Sequence, residues 1–430
     1  MHSCDHEGCR EYNELSRRQF VTWSAGAALL ATVVPPWLPK VVLAESFAAN
    51  RDVIISIFMR GGADGLTLCA PFSDPDYYAG RPTIAIPRPD STASTKGIAL
   101  DDRFMFPQAM SPLVEAYNNK ELLVVHGTGS VDPSRSHFDA QRYMEVGKPR
   151  DPTIVTGWLG RHLASSTPVR TNAPLRALGI ANGLAQTLVG APQTLPIPNP
   201  ANFNLGGSAA TRQERADWLK ADYLGSLDPV KSAAIDAIST IDLLKAINFT
   251  GYAPANGAVY PTTAFGTSLR SAAALIKADI GVEAVQVDIG GWDTHSAQDP
   301  IAGSMYNTMG QFANAIGALY KDLIAGAQAQ SVTVVMVSEF GRNARENGSK
   351  GTDHGRGNCM FAMGKNIAGG RVLTFNWVGL AKENLESGQD LKVTIDHRDI
   401  LAEIVKNRLA NDKLSFVFPD FVPTTRGATL

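Results

Sequence analysis

The chain has 430 residues, a formal net charge of −2 and 44% hydrophobic residues, so it is neither a low-complexity protein nor a strongly basic one. This charge balance gives no reason to expect nucleic acid as a partner. Of its four cysteines, Cys4 and Cys9 lie at the extreme N-terminus, which leaves Cys69 and Cys359. One possible pair is not a disulfide framework, and two buried thiols are the favoured interpretation.

The first 44 residues have the order of a twin-arginine signal peptide. The paired arginines of Ser16–Phe20 precede an apolar run that ends at Val34, and Ala44 places a small residue where a peptidase would cut. The apolar run is short for a membrane span of about 20 residues, and an uncleaved N-terminal anchor is the alternative. We therefore expect twin-arginine translocase to export the chain, leaving residues 45–430 as a periplasmic or secreted domain.

Short apolar runs alternate with longer amphipathic stretches along the rest of the chain. Strands are predicted at Val53–Met59, Leu122–His126, Arg176–Ile180, Glu283–Ile289, Val332–Val337 and Cys359–Met363. Helices are predicted at Pro112–Asn118, Arg212–Tyr223, Pro229–Ile247, Met305–Ala327 and His397–Leu409. Strands separated by helices indicate an α/β fold with a mostly parallel sheet covered on both faces.

The segment at about 193–266 interrupts this alternation. It begins with Leu195–Pro200, which contains too much proline for a core strand. Two of the predicted helices follow, and then a linker rich in glycine, proline, alanine and asparagine at Gly251–Gly257. We interpret the segment as an insertion or cap that lies outside the central sheet.

Polar and ionisable residues gather next to the predicted strands. The segments are Asp64 after the first strand, Asp132–Asp139 after the second, Gly290–His295 after the fourth, Ser338–Arg342 after the fifth and Gly351–Gly355 before the sixth. Ligands of α/β sheets bind at the strand ends, so we expect these segments to form one site.

An aspartate and a histidine close together in the chain suit a hard or borderline metal ion, because one supplies charge and the other a directional nitrogen. The predicted ligands are Asp353, His354, Asp293, His295 and Asp64. Each has a structural alternative, in which an Asp-His pair only caps a helix or closes a loop and Asp64 only holds its turn. Glu339 could likewise pair with Arg342 or Arg345.

These segments, together with Phe58–Gly65, resemble a family of exported bacterial proteins, domain-of-unknown-function family 1501. The resemblance runs from about Asp52 to Phe421 and includes the leader. The family is similar to the alkaline phosphatase and sulfatase superfamily, which implies a three-layer α/β/α sandwich with a mostly parallel central sheet and a metal site over the strand ends. Gly351–Gly355 resembles the metal-binding turn of that superfamily.

Pro133–Arg135 resembles part of the sulfatase nucleophile motif, but Val131 occupies the position where sulfatases have cysteine or serine. Valine cannot become formylglycine, so ordinary sulfatase chemistry is excluded there. The resemblance implies instead a metal-dependent hydrolase of a phosphate or sulfate ester on a small molecule or polysaccharide. The divalent ion could be zinc, manganese or calcium.

In this hypothesis Ser136 is the nucleophile or orients a water, with Ser134 as its substitute. Arg135 grips the tetrahedral anion through its planar donors, and His137 protonates a leaving group. Two alternatives stay open. The first, favoured by Val131, is a non-catalytic, metal-containing exported protein that binds cell-surface polysaccharide. The second is a cofactor-bearing oxidoreductase, suggested only by the export route.

Overall fold

A computed structural model describes residues 51–327 and 329–430, so the predicted leader lies outside the described residues. The strands are β1 Val53–Met59, β2 Ile98–Ala99, β3 Met105–Phe106, β4 Leu122–Gly129, β5 Ala177–Gly179, β6 Thr194–Pro196, β7 Ala284–Ile289, β8 Val332–Val337, β9 Asn358–Met363, β10 Arg371–Leu373 and β11 Ile395–Asp396. Within the described ranges, nine of them form one sheet in the order β10-β4-β9-β8-β1-β7-β5-β6, with β11 also paired to β4.

The α-helices are α1 Gly65–Leu68, α2 Pro75–Gly80, α3 Val114–Asn118, α4 His137–Val146, α5 Trp158–Ser165, α6 Arg212–Leu224, α7 Val230–Lys245, α8 Ala264–Lys277, α9 Ser304–Leu319, α10 His397–Asn407 and α11 Leu414–Val417. Short 3-10 helices lie at Gln108–Leu113, Gln186–Leu188, Pro200–Asn202 and Lys382–Asn384, and a π-helical turn at Tyr320–Ile324 follows α9. No helix in the described ranges has the length and apolarity to cross a membrane.

Helices cover both faces of the sheet because its central strands are apolar on both sides. In β1, Ile55 and Ile57 belong to one hydrophobic core, whereas Ile54 and Phe58 belong to a second core. Helices α8 and α9 contribute to the first core, and α5 and α10 to the second. Successive strand residues point to opposite faces, so a strand buried on both sides has a continuous apolar run.

The sheet is mixed rather than wholly parallel. Six of its strand pairings are parallel, but β9 runs antiparallel to both of its neighbours, β4 and β8. Parallel neighbours need a crossover connection, usually a helix, and no helix occurs between β8 and β9. The segment between them therefore stays at the edge of the sheet that is formed by the C-terminal ends of the parallel strands, and β9 begins where β8 ends.

The predicted boundary of the insertion is wrong at its start. Thr194–Pro196 forms β6, which pairs in parallel with β5 at the edge of the central sheet. An edge strand tolerates proline because one side of it needs no hydrogen-bond donors. Among the described residues, 204–242 belong to a compact unit separate from the one that contains the sheet, and they include α6 and most of α7. Whether that unit acts as a cap stays a prediction.

Candidate metal centre

Four segments meet at the edge of the sheet where β1, β4, β7 and β8 end. His137 begins α4 after β4, Asp293 and His295 follow β7, and Glu339 follows β8. His354 reaches the same edge from the other direction. It precedes β9, and only the antiparallel direction of β9 brings its N-terminal end to this edge.

The imidazole Nε2 atoms of three histidines converge on one another and on the Asp293 carboxylate. His354 Nε2 lies 3.1 Å from His137 Nε2 and 2.9 Å from His295 Nε2. Asp293 Oδ1 lies 3.3 Å from His354 Nε2 and 3.1 Å from His295 Nε2. Asp293 Oδ2 is 3.6 Å from His137 Nε2. The cluster is open to solvent, since the side chains of Asp293 and His295 are 46% and 44% exposed.

The opposite ring nitrogen of each histidine faces a hydrogen-bond acceptor. His137 Nδ1 lies 2.8 Å from Glu339 Oε1, and His295 Nδ1 lies 3.1 Å from Asp353 Oδ1. His354 Nδ1 lies 2.9 Å from the carbonyl oxygen of Arg135. A carbonyl or an ionised carboxylate can only accept, so each Nδ1 carries the proton and donates it. In a neutral ring with its proton on Nδ1, the lone pair is on Nε2, and the Nε2 atoms of His137 and His295 both face that of His354.

Both carboxylates that orient the histidines are held in the ionised form. Burial of Glu339 raises its pKa, but hydrogen bonds from Gln141, from the glycine loop after β1 and from His137 outweigh it, so the net pKa is lowered. For Asp353, the hydrogen bond from Asn347 is the main cause of a lowered pKa, although partial burial opposes it. Ionised carboxylates accept strong hydrogen bonds, which fixes the orientation of both rings.

Two opposing effects act on the pKa of Asp293, namely its own partial burial and the charge of a buried arginine. Burial raises its pKa, but Arg342, whose Nη2 donates to Asp293 Oδ1 at 2.5 Å, more than offsets this and lowers it. The Arg342 side chain is fully buried, and its other donors reach backbone carbonyls of Gly62 and Thr352. For His354, burial and then the charge of Arg342 lower the pKa, which favours neutral imidazole, the form that binds metals.

The cluster fits a divalent metal ion. His137, Asp293 and His354 each offer one ligand atom, and the closest distances between their ligand atoms are 3.1 to 3.6 Å. Nitrogen and oxygen ligands at about 2.0–2.2 Å from an ion lie no more than about 4.4 Å apart. Neutral Nε2 atoms in mutual contact repel unless a cation lies between them, and imidazole with a carboxylate is a common ligand set for zinc and other transition metals. His295 flanks this set on the side of His354.

Asp64 does not join the cluster, so its prediction as a metal ligand is wrong. Its carboxylate is fully buried, and Arg81 donates to both of its oxygens at 2.5 and 3.0 Å. Thr67 and Gln298 also donate to it, at 2.7 Å each. Burial raises the pKa of Asp64, but the charge and hydrogen bonds of Arg81 lower it overall. The structural alternative, in which this residue holds its turn, matches what is seen.

The three residues predicted for catalysis differ in their contacts with the cluster. The Arg135 side chain forms an ion pair with Asp390 through one guanidinium nitrogen, and its carbonyl oxygen contacts His354 of the cluster, so its role in gripping the anion stays a prediction. Ser136 is exposed immediately before α4, and its backbone N–H donates to Ser134 Oγ at 3.2 Å. His137 has both ring nitrogens engaged within the cluster, so its prediction as proton donor to a leaving group does not fit.

Sequence reasoning did not identify the partners of two residues of the site, Glu339 and Asp353. Glu339 contacts His137 rather than Arg342 or Arg345, and Arg342 contacts Asp293. Asp353 accepts from Nδ1 of His295, on the side of the ring away from the cluster, whereas Asp293 places an oxygen next to Nε2 of His295 inside the cluster. The sequence did indicate that Glu339 belongs to the site, because it lies just after a predicted strand. The choice of partner depends on which ring nitrogen faces inward, which the sequence does not show.

The family model described as "Protein of unknown function (DUF1501)" matches residues 154–407. The chain belongs to this family. The matched range includes Asp293, His295, Glu339 and His354, but it begins after His137. No curated protein matches the sequence.

One solved structure to which the chain is similar is the C-terminal periplasmic domain of EcEptC from Escherichia coli, in complex with Zn. The sequence identity is 10%, the TM-score is 0.35, and 89% of this chain and 90% of that chain are covered. A TM-score below 0.5 establishes neither a shared activity nor shared site residues for this member of the DUF1501 family.

Proposed function

We propose that this chain is an exported, metal-dependent hydrolase of phosphate or sulfate esters. The observation that carries the proposal is the set of three Nε2 atoms that face the Asp293 carboxylate at a solvent-exposed edge of the sheet. Structural metal sites are closed, whereas catalytic sites keep a position open for water or substrate. The exposure of Asp293 and His295 therefore favours a catalytic centre over a structural one.

His137, His354 and Asp293 would hold the ion, with His295 as a further ligand. When bound, a divalent ion supplies a Lewis acid that lowers the pKa of water and offsets charge on an ester oxygen. The protein's own groups do the rest. Glu339 keeps the proton of His137 on Nδ1, so that Nε2 faces the site. Asp353 does the same for His295.

Ser136 is the group proposed to attack the ester or to orient the attacking water. It directly precedes His137 and the first turn of α4, a helix of ten residues. Unpaired backbone N–H groups and the positive end of the dipole at a helix N-terminus stabilise negative charge, such as that of an ester oxyanion. Arg135 neighbours it, and the ion pair with Asp390 uses one of its guanidinium nitrogens.

The test measures metal content and turnover together on purified, folded protein. We expect the wild type to contain a divalent metal and to hydrolyse an aryl phosphate or an aryl sulfate, and His137→Ala with His354→Ala to lose both. His162→Gln, at a buried histidine that contacts Asn411 and no cluster residue, is the matched control and should keep both. Metal without turnover of either ester would instead support the alternative of a binding protein. Wild-type protein without metal would refute the proposal.

Export by the twin-arginine route has its own test. Arg17→Lys with Arg18→Lys should leave the precursor in the cytoplasm, because the pathway reads the arginine pair in the leader. Cell fractionation with an antibody against the mature domain measures this, and a lysine-to-arginine change outside the leader, Lys350→Arg, is the control. Normal processing of the double variant would contradict the assignment of the leader.

A further inference from the structure

A groove outside the metal centre lies between α9 and the 3-10 helix Gln108–Leu113. Its volume is about 360 Å³, and ten residues line it. Gly317 of α9 lies close to Pro112, since an added Cβ there would be 2.9 Å from the Pro112 carbonyl oxygen. At Gly310, two turns earlier, an added Cβ would meet nothing within 4 Å. The two helices are therefore in contact at one end, and the groove opens at the other.

The chemistry of the lining is neutral and polar. None of the ten residues is charged, although charged residues make up 19% of the chain. Four amide side chains face the groove, and they are Gln108, Asn307, Gln311 and Asn314. Each amide has two N–H donors and one oxygen acceptor. One N–H of Gln108 already donates to the Lys96 carbonyl oxygen, and one of Asn314 to the Gly310 carbonyl oxygen, so these two offer their oxygens and one remaining N–H each. Tyr306, Pro112 and Pro261 add flat apolar surfaces beside them.

We propose that this groove binds a neutral oligosaccharide. Sugar hydroxyl groups both donate and accept hydrogen bonds, as do amides, and the apolar face of a sugar ring packs on tyrosine and proline. An anionic ligand would leave its charge unpaired, because no lysine or arginine lines the groove. Strand addition of a peptide needs a sheet edge and docking of a peptide helix needs an apolar groove, and this groove is polar and flanked by helices.

Helix α9 lines the groove and also contacts the segment that leads to Asp293. Thr308 Oγ1 donates to the carbonyl oxygen of Gly291 at 3.4 Å, and Gly291 is two residues before Asp293. Tyr306 and Asn307 directly precede Thr308 in the chain. A saccharide with neutral sugars in the groove, and long enough to extend along α9, would present its charged ester to the cluster rather than to the groove, a consequence that rests on the proposed function. The saccharide site itself does not depend on it.

The experiment screens the full, folded protein on an array of neutral glycans and measures the best hit by titration calorimetry. Gly310→Phe fills the open end of the groove, and we expect it to weaken binding at least about 10-fold. Gly310→Ala is the matched control, since alanine suits a helix interior better than glycine and leaves the groove open. It should bind within about two-fold of the wild type, and circular dichroism should show both variants folded.

His137→Ala with His354→Ala separates this inference from the proposed hydrolase activity. This variant should bind the same glycan as the wild type, because no cluster residue lines the groove. Three outcomes would overturn the inference: no binding to any neutral glycan, binding that Gly310→Phe leaves unchanged, or capture by the groove of a peptide or an anionic polymer in place of a neutral glycan.

Discussion

Glu339 shows how one buried carboxylate can determine what a neighbouring histidine does. Its Oε1 accepts from His137 Nδ1, from Gln141 Nε2 at 2.9 Å and from the Gly61 backbone N–H at 2.9 Å. Three donors on one oxygen leave the carboxylate no other orientation. His137 therefore has one ring position and one tautomer, and Nε2 is directed to the cluster before any ion arrives.

Glu339→Gln should weaken metal binding without unfolding the protein. Glutamine has the same size and can still accept one hydrogen bond, but it lacks the charge that makes His137 a better ligand. Loss of a carboxylate behind a histidine ligand typically lowers metal affinity by about 10–100-fold. Competition with a chromogenic chelator measures the affinity. Glu403→Gln, at a buried carboxylate that binds backbone amides near the C-terminus, is the matched control. An equal loss in both variants would contradict a positioning role.

Asp64→Asn should reduce stability and leave metal content unchanged. The residue forms a buried ion pair with Arg81 through two hydrogen bonds, and its other side-chain partners, Thr67 and Gln298, are not cluster residues. Removing one partner of a buried pair leaves the other charge uncompensated and costs about 3–5 kcal/mol. Urea denaturation and metal analysis of the same preparation measure both effects. Metal loss from a protein of undiminished stability would restore this residue as a ligand.

Among the elements, the strands were the most predictable from sequence and the direction of β9 the least. Val53–Met59 and Val332–Val337 have the predicted bounds, because continuous apolar runs of six or seven residues are typical of a sheet buried on both faces. The short edge strand Thr194–Pro196 was hidden by its proline. The direction of β9 depends on its connection, and Ser338–Gly357 has too many glycines and polar residues to form the helix that a parallel crossover needs.

The connection between β8 and β9 also explains which parts of the site could be predicted from the sequence. The residues Asp293, His295, Asp353 and His354 were expected at one edge, and the structure brings them together. Parallel strands alone would not do so, since a residue before a parallel strand lies at the opposite edge. Glu339 and His137 were recognised as polar residues at strand ends, but their mutual contact joins β8 to α4 across 202 residues of sequence.

Gly355→Ala should remove the metal although every ligand side chain remains. The turn Gly351–Gly355 runs against the backbone of the neighbouring segment, and a Cβ at Gly355 would lie 2.4 Å from the carbonyl carbon of Arg342. The turn would have to move, and His354 with it. Gly348→Ala is the matched control from the same connection, because a Cβ there meets nothing within 4 Å. Metal analysis decides the matter, and full metal content in Gly355→Ala would show that the turn tolerates displacement.

For the molecule as a whole, buried histidines make stability depend on pH. His126 and His162 are almost fully buried, and burial is the main cause that lowers the pKa of His126 to about 4 and that of His162 to about 3. Asn411 Nδ2 lies 3.1 Å from His162 Nδ1 and donates to it, which only the neutral ring can accept. Both residues lie outside the metal cluster, so they report on the fold rather than on the site.

Stability should therefore fall as the pH falls below about 6.5, the value near which histidine titrates in an unfolded chain. Between about pH 6.5 and pH 4 the unfolded chain binds protons that the folded protein does not, so acid shifts the equilibrium toward unfolding. The free energy of unfolding should decrease by up to about 1.4 kcal/mol per pH unit for each such histidine. Urea denaturation of metal-free protein at pH 7, 6 and 5 measures the slope. His162→Gln, which keeps an acceptor for Asn411, should have a shallower slope by about one proton. Identical slopes in the variant and the wild type would show that His162 is already protonated in the folded state.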